Sequence, residues 1–282
     1  MTSTIDPRRD TQRTSANPGT VVPHSPSRRS GNGRHAVTLV LHLVAREFKL
    51  RYRRAFLGWA WAMAEPLMRF AVLSFVFTSI LPLGIPDYSA HLFIGLMAWA
   101  WFSSALASAT NSAVDRRELF MRPELPRAAV PVTSVLTDAL DYMAALPILV
   151  FVLWQSGQIH MTIVALPVVM SAQFLLTVGL GFALCTANVF LRDVRHMVSV
   201  TLGMLFYLSP IFYSVETVPE QYRSLIYLNP ITHLLDAYRA VLLDGRLPDT
   251  GSFAVLFAFC GSVCGAGYLL YRLSSRSFLD EL

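Results

Sequence analysis

Apolar residues run through this chain in six long segments, 59–81, 91–114, 132–154, 161–187, 197–213 and 252–271. Each approaches the ~20 residues that a helix rising ~1.5 Å per residue needs to cross a ~30 Å hydrocarbon core. The pattern predicts an all-α integral membrane protein with six transmembrane helices. The fifth segment is the shortest and contains Pro210, so an early end is expected there. Ahead of the first span, Val37, Val40, Leu41, Val44, Phe48, Tyr52 and Ala55 recur at helical spacing, with Arg46, Lys49, Arg51, Arg53 and Arg54 mostly opposite. That spacing predicts an amphipathic helix over 36–58 lying on an anionic membrane surface; an ordinary solvated helix is the plainer alternative. Residues 1–35 are rich in Ser, Thr, Pro and Gly, carry several arginines and lack an apolar run. They read as a disordered basic tail without the apolar core of a cleaved signal.

Between the fifth and sixth spans the pattern changes. After Asn229-Pro230, the residues Ile231, Leu234, Leu235, Tyr238, Val241 and Leu242 repeat at helical spacing, with Thr232, His233, Asp236 and Arg239 on other faces. Val218-Pro219 through Leu228 suits a shorter preceding helix. The stretch 214–250 therefore predicts a pair of half-depth, re-entrant helices entering from the external side, with a surface amphipathic hairpin as the alternative. Irregular backbone between such helices is tolerated only where it is buried in protein or lines a wet cavity.

Composition agrees: 54% of residues are hydrophobic, 15% are charged and the mean hydropathy is +0.48, far from the ~25% charged residues of a soluble domain. Residues 59–282 thus read as one membrane domain. Of 23 basic residues only Lys49 is a lysine, a bias that suits a GC-rich genome. Arginines also orient the spans. Arg116, Arg117, Arg122 and Arg127 in the loop 115–131, Arg192 and Arg195 in the loop 188–196, and Arg272 and Arg276 in the tail 272–282 all fall on one side. The short loops at Asp87 and at 157–160 carry no Lys or Arg. The basic side is expected to be cytoplasmic in the plasma membrane, with both termini inside.

Candidate chemistry is sparse. A Walker phosphate loop needs a lysine followed by Ser or Thr, and Lys49 is followed by Leu50, so no P-loop is present. His-Glu-x-x-His and Gly-x-Ser-x-Gly motifs are likewise missing, and Cys185, Cys260 and Cys264 sit in apolar segments as packing residues. No catalytic, metal or nucleic-acid site is expected, and no cofactor on this chain. Glu65 and Arg69, four apart on the first span, share a face; they read either as a polar contact for substrate near the inner mouth or as a self-neutralising pair. Asp138 and Asp141 are expected to accept bonds from the loop arginines, with ion coupling as an alternative. Trp99, Trp101, Phe102, Phe206, Tyr207, Phe212 and Tyr213 are candidates for a conduit on which sugar rings stack, against the interfacial belt of any membrane protein. Gly261 and Gly265 form a G-x-x-x-G that permits close helix approach, as do Gly179 and Gly181.

Four stretches in register, 46–61 (REFKLRYRRAFLGWAW), 190–195 (FLRDVR), 209–213 (SPIFY) and 228–239 (LNPITHLLDAYR), resemble the ABC-2 type permeases that export polysaccharides, among them O-antigen, teichoic-acid and mycobacterial galactan exporters. Glu65-Pro66 departs from the Asn-Pro more usual in those permeases. The resemblance implies a homodimer paired with two copies of a separate ATP-binding subunit, which would carry ATP and Mg2+. Coupling to it would fall to Arg116, Arg117, Glu118, Leu119, Phe120, Arg122, Arg127, Arg192, Asp193 and Arg195. The outer gate would include Pro219, Tyr222, Asn229, Pro230, His233 and Tyr238. The implied cargo is a polyprenyl-diphosphate-linked glycan, galactan or O-antigen-like, whose diphosphate would meet Arg46, Arg51, Arg53 and Arg54 beside Glu65 and Arg69. A drug or lipid exporter on the same scaffold is the alternative; an ion-coupled transporter using Glu65, Asp138 or Asp141 is a further one.

Overall fold

The computed structural model describes residues 33–52, 60–120, 125–275 and 277–278. Among them the chain forms the helices α1 (Gly33–Tyr52), α2 (Ala60–Phe75), α3 (Tyr88–Asp115), α4 (Arg117–Phe120), α5 (Ala129–Gln155), α6 (Leu166–Phe190), α7 (Val194–Leu208), α8 (Glu220–Tyr227), α9 (Pro230–Leu242) and α10 (Thr250–Ser274). Among the described residues, four helical stretches are long and apolar enough to cross a membrane: Tyr88–Asp115, Ala129–Gln155, Met161–Phe190 and Thr250–Ser274. The first predicted span is α2 continued by a π-helical turn, Val76–Ile80. The fifth is α7, which has 15 residues and stops at Leu208 rather than reaching residue 213. Pro210 explains the early stop: it offers no N–H and holds Ser209 extended, at φ −90° and ψ 142°.

Helix α3 lies at the centre. Every residue from Ala90 to Trp99 is buried, and the helix packs against α2, α5, α6, α7 and α9. The buried threonines of this core are satisfied locally. The hydroxyls of Thr110, Thr133, Thr137, Thr177 and Thr186 each donate to the carbonyl four residues back, at 2.7–2.9 Å. Two amides reach across from α6 to α3: Gln173 Nε2 donates to Ala98 O at 3.0 Å and Asn188 Nδ2 to Thr110 O at 3.1 Å. Such bonds fix one helix against another where burial of apolar area alone cannot, because lipid is as apolar as the core.

The seam between α6 and α10 depends on glycine, but not on the G-x-x-x-G pair. A Cβ on Gly267 would stand 2.1 Å from Gly179 O, and one on Gly179 would meet the backbone of Cys264 at 2.6 Å. Around Gly261 and Gly265 nothing lies within 4 Å. The buried stripe of α10 is Leu256, Cys260, Gly267 and Tyr271. One residue is ~100° of helix rotation, so Gly261 sits round the edge of that stripe.

Candidate functional site

Helices α2, α3 and α7 enclose a cleft of about 650 Å³. Met68, Val72 and Leu73 form one wall, Trp99 and Ser103 the back, and Ser199, Leu202, Gly203, Phe206 and Tyr207 the other. Arg69 also lines it; its guanidinium lies 6.0 Å from the Phe206 ring centroid and 2.8 Å from the Glu65 carboxylate. Aromatic contacts continue from the cleft to the end of α7. Trp99 meets Phe206 at 6.0 Å, Phe206 meets Tyr207 at 5.2 Å and Phe212 at 6.0 Å, and Phe212 meets Tyr213 at 5.2 Å. Trp99, Phe206, Tyr207, Phe212 and Tyr213 are therefore brought together, with Phe102 buried beside Trp99 at 5.7 Å. Trp101 turns the other way and stacks on Tyr142 at 5.2 Å, which in turn meets Tyr238 at 6.5 Å. That column joins α3, α5 and α9 inside the core, so Trp101 and the gate candidate Tyr238 are both fully or nearly fully buried.

Beyond the cleft, Ser209 to Tyr213 is irregular backbone, and side chains from α3 and from α9 with its N-cap satisfy it. Arg239 Nη2 donates to Pro210 O at 2.6 Å and to Ile211 O at 3.0 Å. Tyr88 donates to Phe212 O at 3.0 Å, and His91 Nε2 lies 3.4 Å from Tyr213 O. Asn229 caps α9 by accepting from Ile231 N at 3.0 Å, and its Nδ2 donates to Ser209 Oγ at 2.9 Å. Pro230 follows at the first helical position, where its missing N–H costs nothing. Gly95 permits the close approach, since a Cβ there would stand 2.7 Å from Ile211 O and 3.1 Å from Arg239 Nη2. Of the other gate candidates, His233 Nε2 lies 2.8 Å from Tyr227 O, Pro219 precedes α8, and Tyr222 is exposed on it. Arg239, expected on a face of α9 other than the apolar one, is 7% exposed. The signal was present: Ile231, Leu235, Arg239 and Leu242 stand at helical spacing along one edge of the apolar stripe. Gly95, Tyr88 and His91 carry no comparable signal.

At the arginine-rich end, the last turns of α1 run beside α5. Arg51 Nη1 pairs with Asp138 at 2.7 Å and Asp141 at 2.5 Å, and Ser104 donates to Asp138 at 3.2 Å. Arg116 pairs with Glu47 at 2.8 Å and donates to Ser134 Oγ at 2.9 Å. Among the described residues the two aspartates thus meet Arg51 of the first helix, where the loop arginines were expected, and Arg116 goes to Glu47 instead. Position decides this: the loop arginines precede α5, whereas Asp138 lies ~14 Å inside it at ~1.5 Å per residue. Burial works against the charge on Arg51, but Asp138 and Asp141 outweigh it and hold its pKa above the ordinary value. Burial pushes the Glu47 carboxyl up, against the pull of Arg116 and Arg51. Arg127 donates to the carbonyl of Ser275, and Tyr271 donates to Arg127 O at 2.9 Å. Phe278 is fully buried between Phe190 and Tyr271, with ring centroids 5.9 Å and 5.4 Å away. Among the other coupling candidates, Leu119 packs on the core, Glu118 is exposed, Phe120 closes α4, and Asp193 stands at the N-cap of α7. Arg117, Arg192 and Arg195 line a second cleft of about 360 Å³. Arg46 is exposed on α1; Arg53, Arg54 and Arg122 lie outside the described residues.

Comparison with known proteins bears on the whole of this frame. The O-antigen export system permease protein RfbA of Myxococcus xanthus is 31% identical over 247 residues, covering 86% of this chain and 95% of that one. Its namesake in Klebsiella pneumoniae is 26% identical over 211 residues, 74% of this chain and 82% of that one. The polysialic acid transport protein KpsM of Escherichia coli is 26% identical over 244 residues, 85% and 94% of the two chains. The family profile described as ABC-2 type transporter matches residues 38–243, from the amphipathic helix through α9, and the chain belongs to that family.

Proposed function

We propose that this chain is the membrane permease subunit of an exporter that moves a polyprenyl-diphosphate-linked polysaccharide, galactan or O-antigen-like, across the plasma membrane. A separate ATP-binding subunit, in two copies with ATP and Mg2+, would drive it. The observation that carries the reading is the 650 Å³ cleft, in which Trp99, Phe206 and Tyr207 stand beside Arg69, Ser103 and Ser199. Aromatic faces accept sugar rings irrespective of sequence, while a few hydroxyls and a cation meet hydroxyl groups and the diphosphate. Apolar residues exposed along α2 (Met68, Val72, Phe75) and α7 (Val200, Met204, Leu208) flank the cleft. A second copy of the chain set against them would close two clefts into one conduit. The names of the relatives, permeases for O-antigen and polysialic acid, support a glycan over a drug or a membrane lipid. Pairing of Asp138 and Asp141 with Arg51 supports a structural role for them over ion coupling.

Six spans accord with this reading. The 16 residues of α2 and the 5 of its π turn would cover ~31 Å, and α7 would be completed by the packed backbone at 209–213 under an outer gate made by α8 and α9. The arginine-rich end would face the cytoplasm and the ATPase. Depleting the protein should make a lipid-linked glycan accumulate inside the cell, and Phe206→Ala with Tyr207→Ala should slow its export while the folded permease remains at normal abundance. If no such lipid-linked intermediate rose on depletion, the reading would fail.

A further inference from the structure

The aromatic cleft and its continuation are poor in charge. Of the described side chains that line the cleft of about 650 Å³, Arg69 is the only charged one, and the Glu65 carboxylate 2.8 Å away balances it. The aromatic run that leaves the cleft, from Phe206 through Phe212 to Tyr213, adds no charge. Arg239, beside that run, is turned into the packed backbone, where Pro210 O and Ile211 O take its Nη2.

The end of the molecule opposite the arginine-rich one is net negative. Gln158 donates to Asp87 at 2.8 Å, Thr162 to Val241 O at 2.7 Å and Tyr88 to Phe212 O at 3.0 Å, so the loop before α3, the connection from α5 to α6 and the stretch 209–250 share this end. Six carboxylates stand on these segments, those of Asp87, Glu216, Glu220, Asp236, Asp244 and Asp249, against the three arginines Arg223, Arg239 and Arg246; with histidines neutral the net charge is −3 per chain. The arginines are also committed within the chain. Arg223 donates to Val218 O and Glu216 O at 2.9 Å each, Arg239 to the two carbonyls above, and Arg246 pairs with Asp244 at 2.9 Å. Among the described residues Glu216, Glu220 and Asp236 enter no ion pair.

Pores that pass anions present rings of Arg or Lys, and carboxylates at a mouth do the reverse. An acidic polysaccharide brings a negative charge with every repeat, and like charges repel most where protein walls lower the dielectric. Neither the cleft nor the acidic end offers free cations to offset that repulsion. A chain of uncharged sugars meets no such barrier, while ring faces and the Ser103 and Ser199 hydroxyls suit each unit in turn.

We infer that the glycan passed by this chain is uncharged along its length, with the diphosphate at its lipid end as the single anionic group, met by Arg69. The inference rests on the permease reading, in which α8 and α9 flank the exit, and narrows its cargo by charge. An i,i+4 pair as exposed as Glu65 and Arg69 holds its partners weakly, so the diphosphate can take Arg69 from Glu65 and give it back.

The test starts with the glycan that the cell itself makes. Depleting the permease should make a lipid-linked glycan accumulate; mild acid then cleaves it from the lipid diphosphate and frees the polymer for anion-exchange chromatography and sugar analysis. The expected result is a polymer that passes the exchanger unretained, without uronic, sialic or phosphorylated sugars. A retained polymer with acidic sugars along its length would overturn the inference and leave the permease reading intact, whereas the absence of any lipid-linked glycan would overturn both. Arg69→Gln, compared at equal permease abundance, should lower export roughly tenfold, the worth of one charge-assisted contact. The factor should be the same for short and long chains when the exported polymer is sorted by gel filtration. A loss that deepens with chain length would set charges along the polymer against Arg69, and no loss at all would take Arg69 away from the diphosphate; either result overturns the inference.

Discussion

Replacing Gly267 by alanine puts a methyl carbon where Gly179 O would be 2.1 Å away, more than an ångström inside ordinary contact. Neither side can yield cheaply, because the atom met is backbone of α6 and because a Cβ on Gly179 would itself meet the Cys264 backbone at 2.6 Å. The helices must separate locally, and overpacking of this kind costs about 1–3 kcal/mol. Gly265, two residues away on the same helix, has nothing within 4 Å of the same position. There alanine meets no clash and gains the helix stability that glycine lacks, about 0.5–1 kcal/mol. One substitution at two nearby sites should therefore change sign, with a separation of about 1.5–4 kcal/mol. Thermal unfolding in detergent, followed by the recovery of monodisperse protein, should separate the variants by on the order of 5–10 °C, with Gly267→Ala the lower. The G-x-x-x-G reading of the sequence predicts the reverse order. If Gly265→Ala proved as damaging as Gly267→Ala, the rotation of α10 described above would be wrong.

The ion pairs and the irregular backbone give two further tests. Arg51→Met leaves Asp138, 2% exposed, without its cation; because Arg51 itself is one-third exposed, the loss should be about 2–3 kcal/mol. Limited proteolysis should find α1 released, and adding Asp138→Asn and Asp141→Asn should restore much of its protection; a triple variant no better than the single one would count against the pairing. Arg239→Met strips two buried carbonyls of their donor. Two charge-assisted bonds of about 1.5–3 kcal/mol each, offset by relief of a buried cation, give a net loss of about 2–4 kcal/mol. Hydrogen exchange should rise first at 209–213, and an increase spread evenly over α3 and α10 would refute the local role.

How far the sequence carried the description can be judged element by element. Spans were legible because membrane-crossing helices need only length and apolarity, which are local properties, and the four long helices lie within a few residues of their predicted limits. The early end of α7 and the cap of α9 were legible for a similar reason: Pro210 and Asn229-Pro230 act on their own backbone. Partnership was not local and was not legible. Asp138 and Asp141 could be seen to need a cation, but only packing of α1 along α5 made Arg51 that cation, across 87 and 90 residues of chain. Likewise Gly267 and Gly261 look alike in the sequence until the rotation of α10 decides which meets Gly179. Arg239 lies between these cases, legible as a charge at the edge of an apolar stripe, yet given a purpose only where Gly95 lets the chain at Pro210 and Ile211 come within its reach. The sequence by itself determined which segments the bilayer accepts, because transfer into lipid is a property of each segment alone. The tertiary structure decided which charges, carbonyls and glycines answer one another, because inside the bilayer no water takes the place of a missing partner.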